Sequence, residues 1–168
     1  MGKVIHDIVA AALVAILHGA MNTVLMLLFT NVPFGSAESL SYIVYLIVCS
    51  AGSLVWIATL LSIATRSSYA SIFAILCCFV SFAARATAIF VFGFVWAACE
   101  NNTICDGGLD CDGNHPVDYV YSRRIVFVAF NVILWISIAG DLALMWIQTI
   151  LVRNYRLLEN KAYQPVAQ

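Results

Sequence analysis

The 168-residue chain is 63% hydrophobic and 10% charged, with a formal net charge of -1 and a mean hydropathy of +0.96. Soluble domains carry about 45–50% apolar and about 25% charged residues, so a fold dispersed in water is excluded and a lipid bilayer becomes the expected partner. Only eight basic residues occur, and they are scattered, which excludes a patch able to neutralise several nucleic-acid phosphates.

The first element is marked by charge. Between Asp7 and Glu38 no Asp, Glu, Lys or Arg occurs, a gap longer than the roughly 20 residues an α-helix needs to cross the hydrocarbon core. It predicts a helix over 7–29. Lys3 ahead of an apolar run resembles a secretory signal. However, His18-Gly19-Ala20 sets a bulky side chain where a cleavage site wants a small one, and the run continues through Met21–Phe29, so the helix is expected to be retained. Gly2 does not complete a myristoylation pattern, because His6 stands where Ser or Thr is needed. On this helix Ala11, Ala15 and Gly19 form a small-xxx-small ladder that lets a neighbouring helix approach closely. His18 and Asn22 form a polar i,i+4 pair beside it.

Asn31-Val32-Pro33-Phe34-Gly35-Ser36 is breaker-rich and closes the element. A second charge-free stretch, from Glu38 to Arg66, predicts a helix over 41–64, and Thr65-Arg66-Ser67-Ser68 reads as a tight polar hairpin. Two further apolar runs predict helices over 69–98 and 124–153, each interrupted by a single charge, Arg85 and Asp141. All spans must be helical, because in lipid each segment pairs its own backbone groups; the alternating ten-residue segments of a β-barrel are missing. The expected architecture is therefore all-α: one four-helix transmembrane domain over 1–153, up-down-up-down.

Between the third and fourth helices, residues 99–122 form the expected outer loop. Cys99, Cys105 and Cys111 are candidates for one disulfide, Cys99–Cys111 or Cys105–Cys111, with one thiol left over. Asn101-Asn102-Thr103 is a glycosylation sequon on Asn101. The carboxylates from Asp106 to Asp112 read as a solvated acidic turn, without the spacing of a calcium loop, and His115 does not complete a zinc set. No metal or cofactor is expected. Residues 154–168 read as a cytosolic tail, disordered or frayed helix, in which Tyr163-Gln-Pro-Val166 fits a Tyr-x-x-apolar sorting signal carried by Tyr163 and Val166.

Basic residues set the orientation. With both termini inside, Lys3, Arg66, Arg153, Arg156 and Lys161 face the cytosol, whereas Arg123, Arg124 and most acids face out, an N-in/C-in arrangement. Tyr42, Tyr45, Trp96, Tyr119 and Tyr121 then make an outer aromatic belt, with Tyr69, Trp146 and Tyr155 as inner anchors.

Arg85 and Asp141 carry the most information. Each falls near mid-bilayer, with His18 at similar depth, and an unpaired charge there costs about 2.5–3.5 kcal/mol on insertion scales. They are expected to pair across adjacent antiparallel helices, in an intramembrane polar cluster of His18, Asn22, Arg85 and Asp141. Cys78, Ser81 and Arg85 share one face of the third helix, and Ser137, Asp141 and Gln148 one face of the fourth. One reading makes this cluster a structural register pin. The other makes it a proton- or solute-handling site. No Cys-x-x-Cys, Ser–His–Asp order, His-Glu-x-x-His or phosphate loop supports an enzyme.

The very short N-terminus, short first outer loop, tight inner hairpin and cysteine-bearing second outer loop (Cys99, Cys105, Cys111) set a layout. A fourth helix opening with Ser122-Arg123-Arg124 and a short polar tail complete it. That layout resembles the MARVEL-type tetraspan membrane proteins, particularly the small fungal non-classical-export-like members, across the whole chain. In that family the intramembrane basic/acidic pair lies on the first and third helices; here it lies on the third and fourth. The resemblance implies a scaffold without catalytic turnover. The expected function is a non-enzymatic tetraspan that organises membrane domains or vesicles by lateral association, with itself or other membrane proteins, through faces such as Ala11/Ala15/Gly19. The expected location is the plasma membrane or secretory/endosomal vesicles. The alternative is a small transporter, channel or accessory subunit using His18, Arg85 and Asp141.

Overall fold

The computed structural model describes residues 2–30, 40–100 and 117–162. They form four helices: α1 (Gly2–Thr30), α2 (Leu40–Thr65), α3 (Ser68–Glu100) and α4 (Val117–Ala162). Each is long and apolar enough to cross a membrane, and consecutive helices pack side by side, with α4 returning to close against α1. This is an all-α four-helix bundle, and the chain is an integral multi-pass membrane protein. One end carries the α2–α3 hairpin, the hairpin end; the opposite end, the loop end, holds the last residues of α1 and α3 and the first of α2 and α4.

The interior is read off by spacing. On α1 the buried positions are Ala11, Ala15, His18, Asn22 and Leu25; on α4 they include Phe130, Leu134, Ser137, Asp141, Leu144, Gln148, Leu151 and Tyr155. Steps of four and three alternate, which is the seam of a left-handed bundle. Large apolar side chains such as Leu13, Leu17, Phe79, Trp135 and Trp146 point outward. In water that pattern would be inverted. In lipid it is favourable, because small and polar residues inside permit close packing and hydrogen bonding while lipid solvates the large ones.

The core is layered along its axis. Nearest the loop end lies an apolar layer containing Leu25, Tyr45, Val48, Phe130 and Leu134. Below it sits a polar layer that holds His18, Asn22, Arg85 and Asp141. A second apolar layer of Ala15, Val55, Cys78 and Leu144 follows. Next come Ser62, Ser71 and Gln148, where Ser62 Oγ meets Ser71 Oγ at 2.6 Å and donates to Gln148 Oε1 at 2.9 Å. Ala11, Leu151 and Tyr155 form the last apolar layer, at the hairpin end.

The hairpin is a two-residue connection, Arg66-Ser67. Arg66 adopts a left-handed backbone (φ 50°) and its N–H closes on the Ser62 carbonyl at 3.0 Å, an αL stop on α2 achieved without glycine. α3 opens with Ser68, whose N–H and Oγ donate to Glu159 Oε1 and Oε2 at 3.1 and 2.9 Å.

Glu159 corrects the expectation for 154–168. The helix does not stop at Arg153 but continues to Ala162. Three contacts hold the extra turns: Glu159 on Ser68, Asn154 Nδ2 donating to Asp7 Oδ2 at 3.0 Å, and Tyr155 buried in the last apolar layer. α3 likewise reaches Glu100 and α4 starts at Val117, so the connection expected over 99–122 is shorter than drawn. Tyr45 and Tyr155 are also corrected. Both are core residues, 5% and 0% exposed, because the heptad seam carries them inward; Tyr69 and Trp146 do stand outside.

The inside-out pattern sets opposite tolerances on one helix. Ala74→Leu, at a position with no exposure, should destabilise the bundle by about 1–3 kcal/mol through overpacking. Leu76→Ala, on the lipid face two residues away, should leave the melting temperature in detergent within about a degree or two of the parent. Thermal unfolding of both variants checks this.

Candidate functional site: a buried ionic cluster at mid-bundle

The polar layer assembles from all four helices. α3 delivers Arg85 and Ser81, α4 delivers Asp141 and Ser137, α1 delivers His18 and Asn22, and α2 contributes Gly52 and Ser53. The side chains of His18, Arg85 and Asp141 have no solvent-accessible surface. Five contacts converge on the carboxylate and its partners. Arg85 Nη1 donates to Asp141 Oδ2 at 3.0 Å and to the Ser137 carbonyl at 3.0 Å. Ser81 Oγ donates to Asp141 Oδ2 at 3.1 Å. His18 Nε2 lies 2.8 Å from Asp141 Oδ1 and 2.8 Å from Arg85 Nη1.

Hydrogen counting around Asp141 favours one tautomer of His18. A guanidinium nitrogen at this position carries two hydrogens. The Ser137 carbonyl and Asp141 Oδ2 can only accept, so they take both. An ionised carboxylate can only accept, so the 2.8 Å contact of His18 Nε2 with Asp141 Oδ1 is a hydrogen bond in the tautomer that carries its proton on Nε2. The other ring nitrogen, Nδ1, is buried without a hydrogen-bond partner. Imidazole thus joins the ion pair as a donor, and the carboxylate receives three hydrogen bonds together with one full counter-charge. In a low-dielectric interior that set offsets much of the desolvation cost of the two ions.

The expected pairing of Arg85 with Asp141 is present, and His18 belongs to it. Asn22 has a different job. Its Nδ2 donates to the Cys49 carbonyl at 3.2 Å and to Ser53 Oγ at 3.3 Å, tying α1 to α2 rather than capping the ion pair. Gln148, on the same face of α4 as Asp141, bonds Ser62 one layer away. Ala11 and Ala15 are fully buried and serve packing within the chain, which corrects the expectation that this ladder is offered to a second molecule. Gly19 alone of the three is partly exposed, and a side chain on it would meet the Trp56 ring at 3.0 Å. Cys99 lies in α3, while Asn101, Cys105, Cys111, Tyr163 and Val166 lie outside the described residues.

Two glycines make the layer possible, and neither stands out in the sequence as a site residue. A Cβ on Gly52 would lie 2.6 Å from Arg85 Nη2 and closer still to Asn22 Oδ1; one on Gly140 would lie 3.2 Å from His18 Cδ2. Arg85 Nε and Nη2 and Asn22 Oδ1 are buried without a hydrogen-bond partner, and two of these atoms crowd the same point over Gly52. The available signal was depth: each glycine lies mid-helix, level with a bulky polar side chain on its neighbour.

Comparison with protein-family models, with curated proteins and with solved structures gives no match. The chemistry of the cluster therefore stands on its geometry. It holds a positive and a negative group in contact, with an imidazole beside both, and apolar layers lie on both sides.

Arg85→Gln and Asp141→Asn should each destabilise the protein by about 3–5 kcal/mol, since each leaves an uncompensated buried charge. The double variant should recover part of that loss, and a double-mutant cycle in thermal or denaturant unfolding measures the coupling. At His18 the tautomer makes a sharper forecast. Gln, whose amide reaches where Nε2 stands, should be tolerated better than Asn, whose amide reaches only to Nδ1. Equal stabilities would mean that the contacts made at the Nε2 position contribute nothing measurable.

Proposed function

We propose that this chain is a non-enzymatic tetraspan scaffold that organises membrane domains or vesicles by lateral association with its own copies or other membrane proteins. One observation carries the reading. The ionic cluster is closed between two apolar layers, Leu25/Val48/Phe130/Leu134 towards the loop end and Ala15/Val55/Cys78/Leu144 towards the hairpin end. A relay needs a hydrogen-bonded path leading away from the ionisable groups. Here the second ring nitrogen of His18 is buried without a partner, and the next polar group along α4, Gln148, lies beyond the Leu144 layer.

Charges in such a setting fix helix register and depth, the best-attested use of buried polar groups. They leave a bundle whose outer surface carries many large apolar side chains. The layout that resembles MARVEL-type tetraspans agrees with this role. An N-in/C-in orientation follows from Arg66, Arg153 and Arg156, all at the hairpin end, and the proposed location is the plasma membrane or secretory/endosomal vesicles.

A second reading, a small transporter, channel or accessory subunit, is favoured by one feature: the unpartnered buried atoms of His18, Asn22 and Arg85, which a permeant species could engage.

Reconstitution separates the two. In liposomes at a series of protein-to-lipid ratios, single-molecule photobleaching should count a fixed assembly larger than one copy at the lowest densities. A pH-sensitive dye trapped inside should report no flux above that of empty vesicles. A monomer at every density, with a proton flux that Asp141→Asn abolishes while the fold is kept, would replace the scaffold with the transport reading.

A further inference from the structure

The hairpin end separates its charges. Glu159 stands three residues after Arg156, the spacing of an intrahelical ion pair, yet its two oxygens take the N–H and Oγ of Ser68 at 3.1 and 2.9 Å. Asp7 accepts from Asn154 Nδ2 at 3.0 Å, beside Arg153 in the chain. Both acids are thus turned away from the arginines. Among the described residues the ion pairs are His6–Asp7, His18–Asp141 and Arg85–Asp141, so Arg66, Arg153 and Arg156 meet no carboxylate there. All three are exposed.

Depth and direction make Arg153 and Arg156 a pair. Counted along α4 from Asp141, they lie roughly 18 and 22 Å towards the hairpin end at 1.5 Å per residue. That is past the roughly 15 Å of hydrocarbon in one leaflet and within its headgroup layer, which ends at about 20–22 Å. Three residues apart, the two side chains leave neighbouring points on one helix face. Trp146, 72% exposed, stands two turns before Arg153 on that face, about 10 Å nearer mid-bilayer. A lipid whose headgroup meets the arginines therefore runs its tails past the Trp146 ring. The Glu159–Ser68 contact holds α4 helical to this depth, so the two arginines are carried on a fixed backbone. Guanidinium suits a phosphate because its donors form a fork that grips two oxygens at once, which an ammonium cannot do.

We propose that Arg153 and Arg156 clamp the phosphate of an anionic phospholipid in the leaflet at the hairpin end, with its tails against Trp146 and with Arg66 adding to the local positive field. The membrane supplies the phosphate, because the clamp stands in the headgroup layer above an exposed apolar ring. A net negative headgroup is selected over a zwitterionic one, since the latter brings a cation of its own that the arginines repel. The clamp is a property of the single chain, so it stands whether the protein is a scaffold or a transporter.

The test uses the full-length protein in vesicles of mixed phosphatidylcholine and phosphatidylserine, in which each lipid in turn carries bromines midway down its tails. Bromine quenches indole fluorescence on contact, and the part of the quenching that Trp146→Phe removes reports which lipid stands beside Trp146. Each arginine near an anionic surface contributes about a fivefold preference, so phosphatidylserine should be enriched there about fivefold or more over its bulk fraction. Arg153→Gln combined with Arg156→Gln should bring the two lipids level. Two further variants separate a clamp from general surface charge. Arg153→Lys with Arg156→Lys keeps the charge and loses the fork, and should lose more than half of the preference. Lys161→Gln removes a charge from the same end and should leave the preference intact. Equal occupancy by the two lipids in the parent protein would overturn the assignment. So would a preference that the paired Lys variant mostly retains, or one that Lys161→Gln lowers as much as Arg153→Gln does. If the paired Gln variant fails to fold, the Lys pair and Lys161→Gln still decide. Inorganic phosphate at matched ionic strength brings the anion without tails and should leave the preference standing; displacement by it would move the ligand into the water phase and overturn the lipid assignment. Oligomer counts on the same vesicles keep these outcomes distinct from the fate of the scaffold reading.

Discussion

The bundle depends on one contact: Arg85 and Asp141 meeting at 3.0 Å with no exposure on either side chain. A charged group at this depth is tolerated only against a partner, so the pair dictates which faces of α3 and α4 turn towards each other and at what register. His18 extends the constraint to α1. Asn22 passes it on to α2 through the Cys49 carbonyl. One polar layer thus sets the relative depth of all four helices, something apolar packing between near-featureless rods in lipid cannot do alone, because sliding one leucine past another changes little.

The layers on either side give that constraint its strength. Electrostatic attraction grows as water is excluded, and the Leu134 and Leu144 layers keep the cluster dry. The same dryness makes the arrangement intolerant of any uncompensated change. Gly52 and Gly140 are the steric side of the bargain: a bulky guanidinium and an imidazole fit inside a narrow bundle only where the opposing helix presents bare backbone.

Much of this was legible from residue order. Charge-free stretches bounded by Asp7, Glu38 and Arg66 located two helices, two apolar runs located the other two, and the lone charges within those runs, Arg85 and Asp141, gave their mutual contact. The shared faces of Cys78/Ser81/Arg85 and Ser137/Asp141 were visible because helical spacing is local. What escaped was what depends on the neighbour across the interface. Tyr45 and Tyr155 look like interface anchors by type, and only the 3-4 seam of the assembled bundle shows that they face in. Ala11 and Ala15 look equally suited to an internal or an external partner. Residues 154–162 are polar enough to read as a tail, yet Asp7 and Ser68, distant in sequence, offer the hydrogen-bond partners that keep them helical. Gly52 carries no chemistry and is silent until the side chains around it are placed.

The separation of the ion pair along the chain has a consequence for how the protein is made. Asp141 follows Arg85 by 56 residues, whereas His18 precedes it by 67. During synthesis α3 therefore enters the membrane carrying a cation whose counter-ion has not yet been translated, with only an imidazole from α1 to meet it. Insertion of the third helix is provisional until the fourth arrives. A chain interrupted between them exposes a solitary arginine to lipid, a chemical difference by which cellular surveillance can tell an unfinished copy from a finished one.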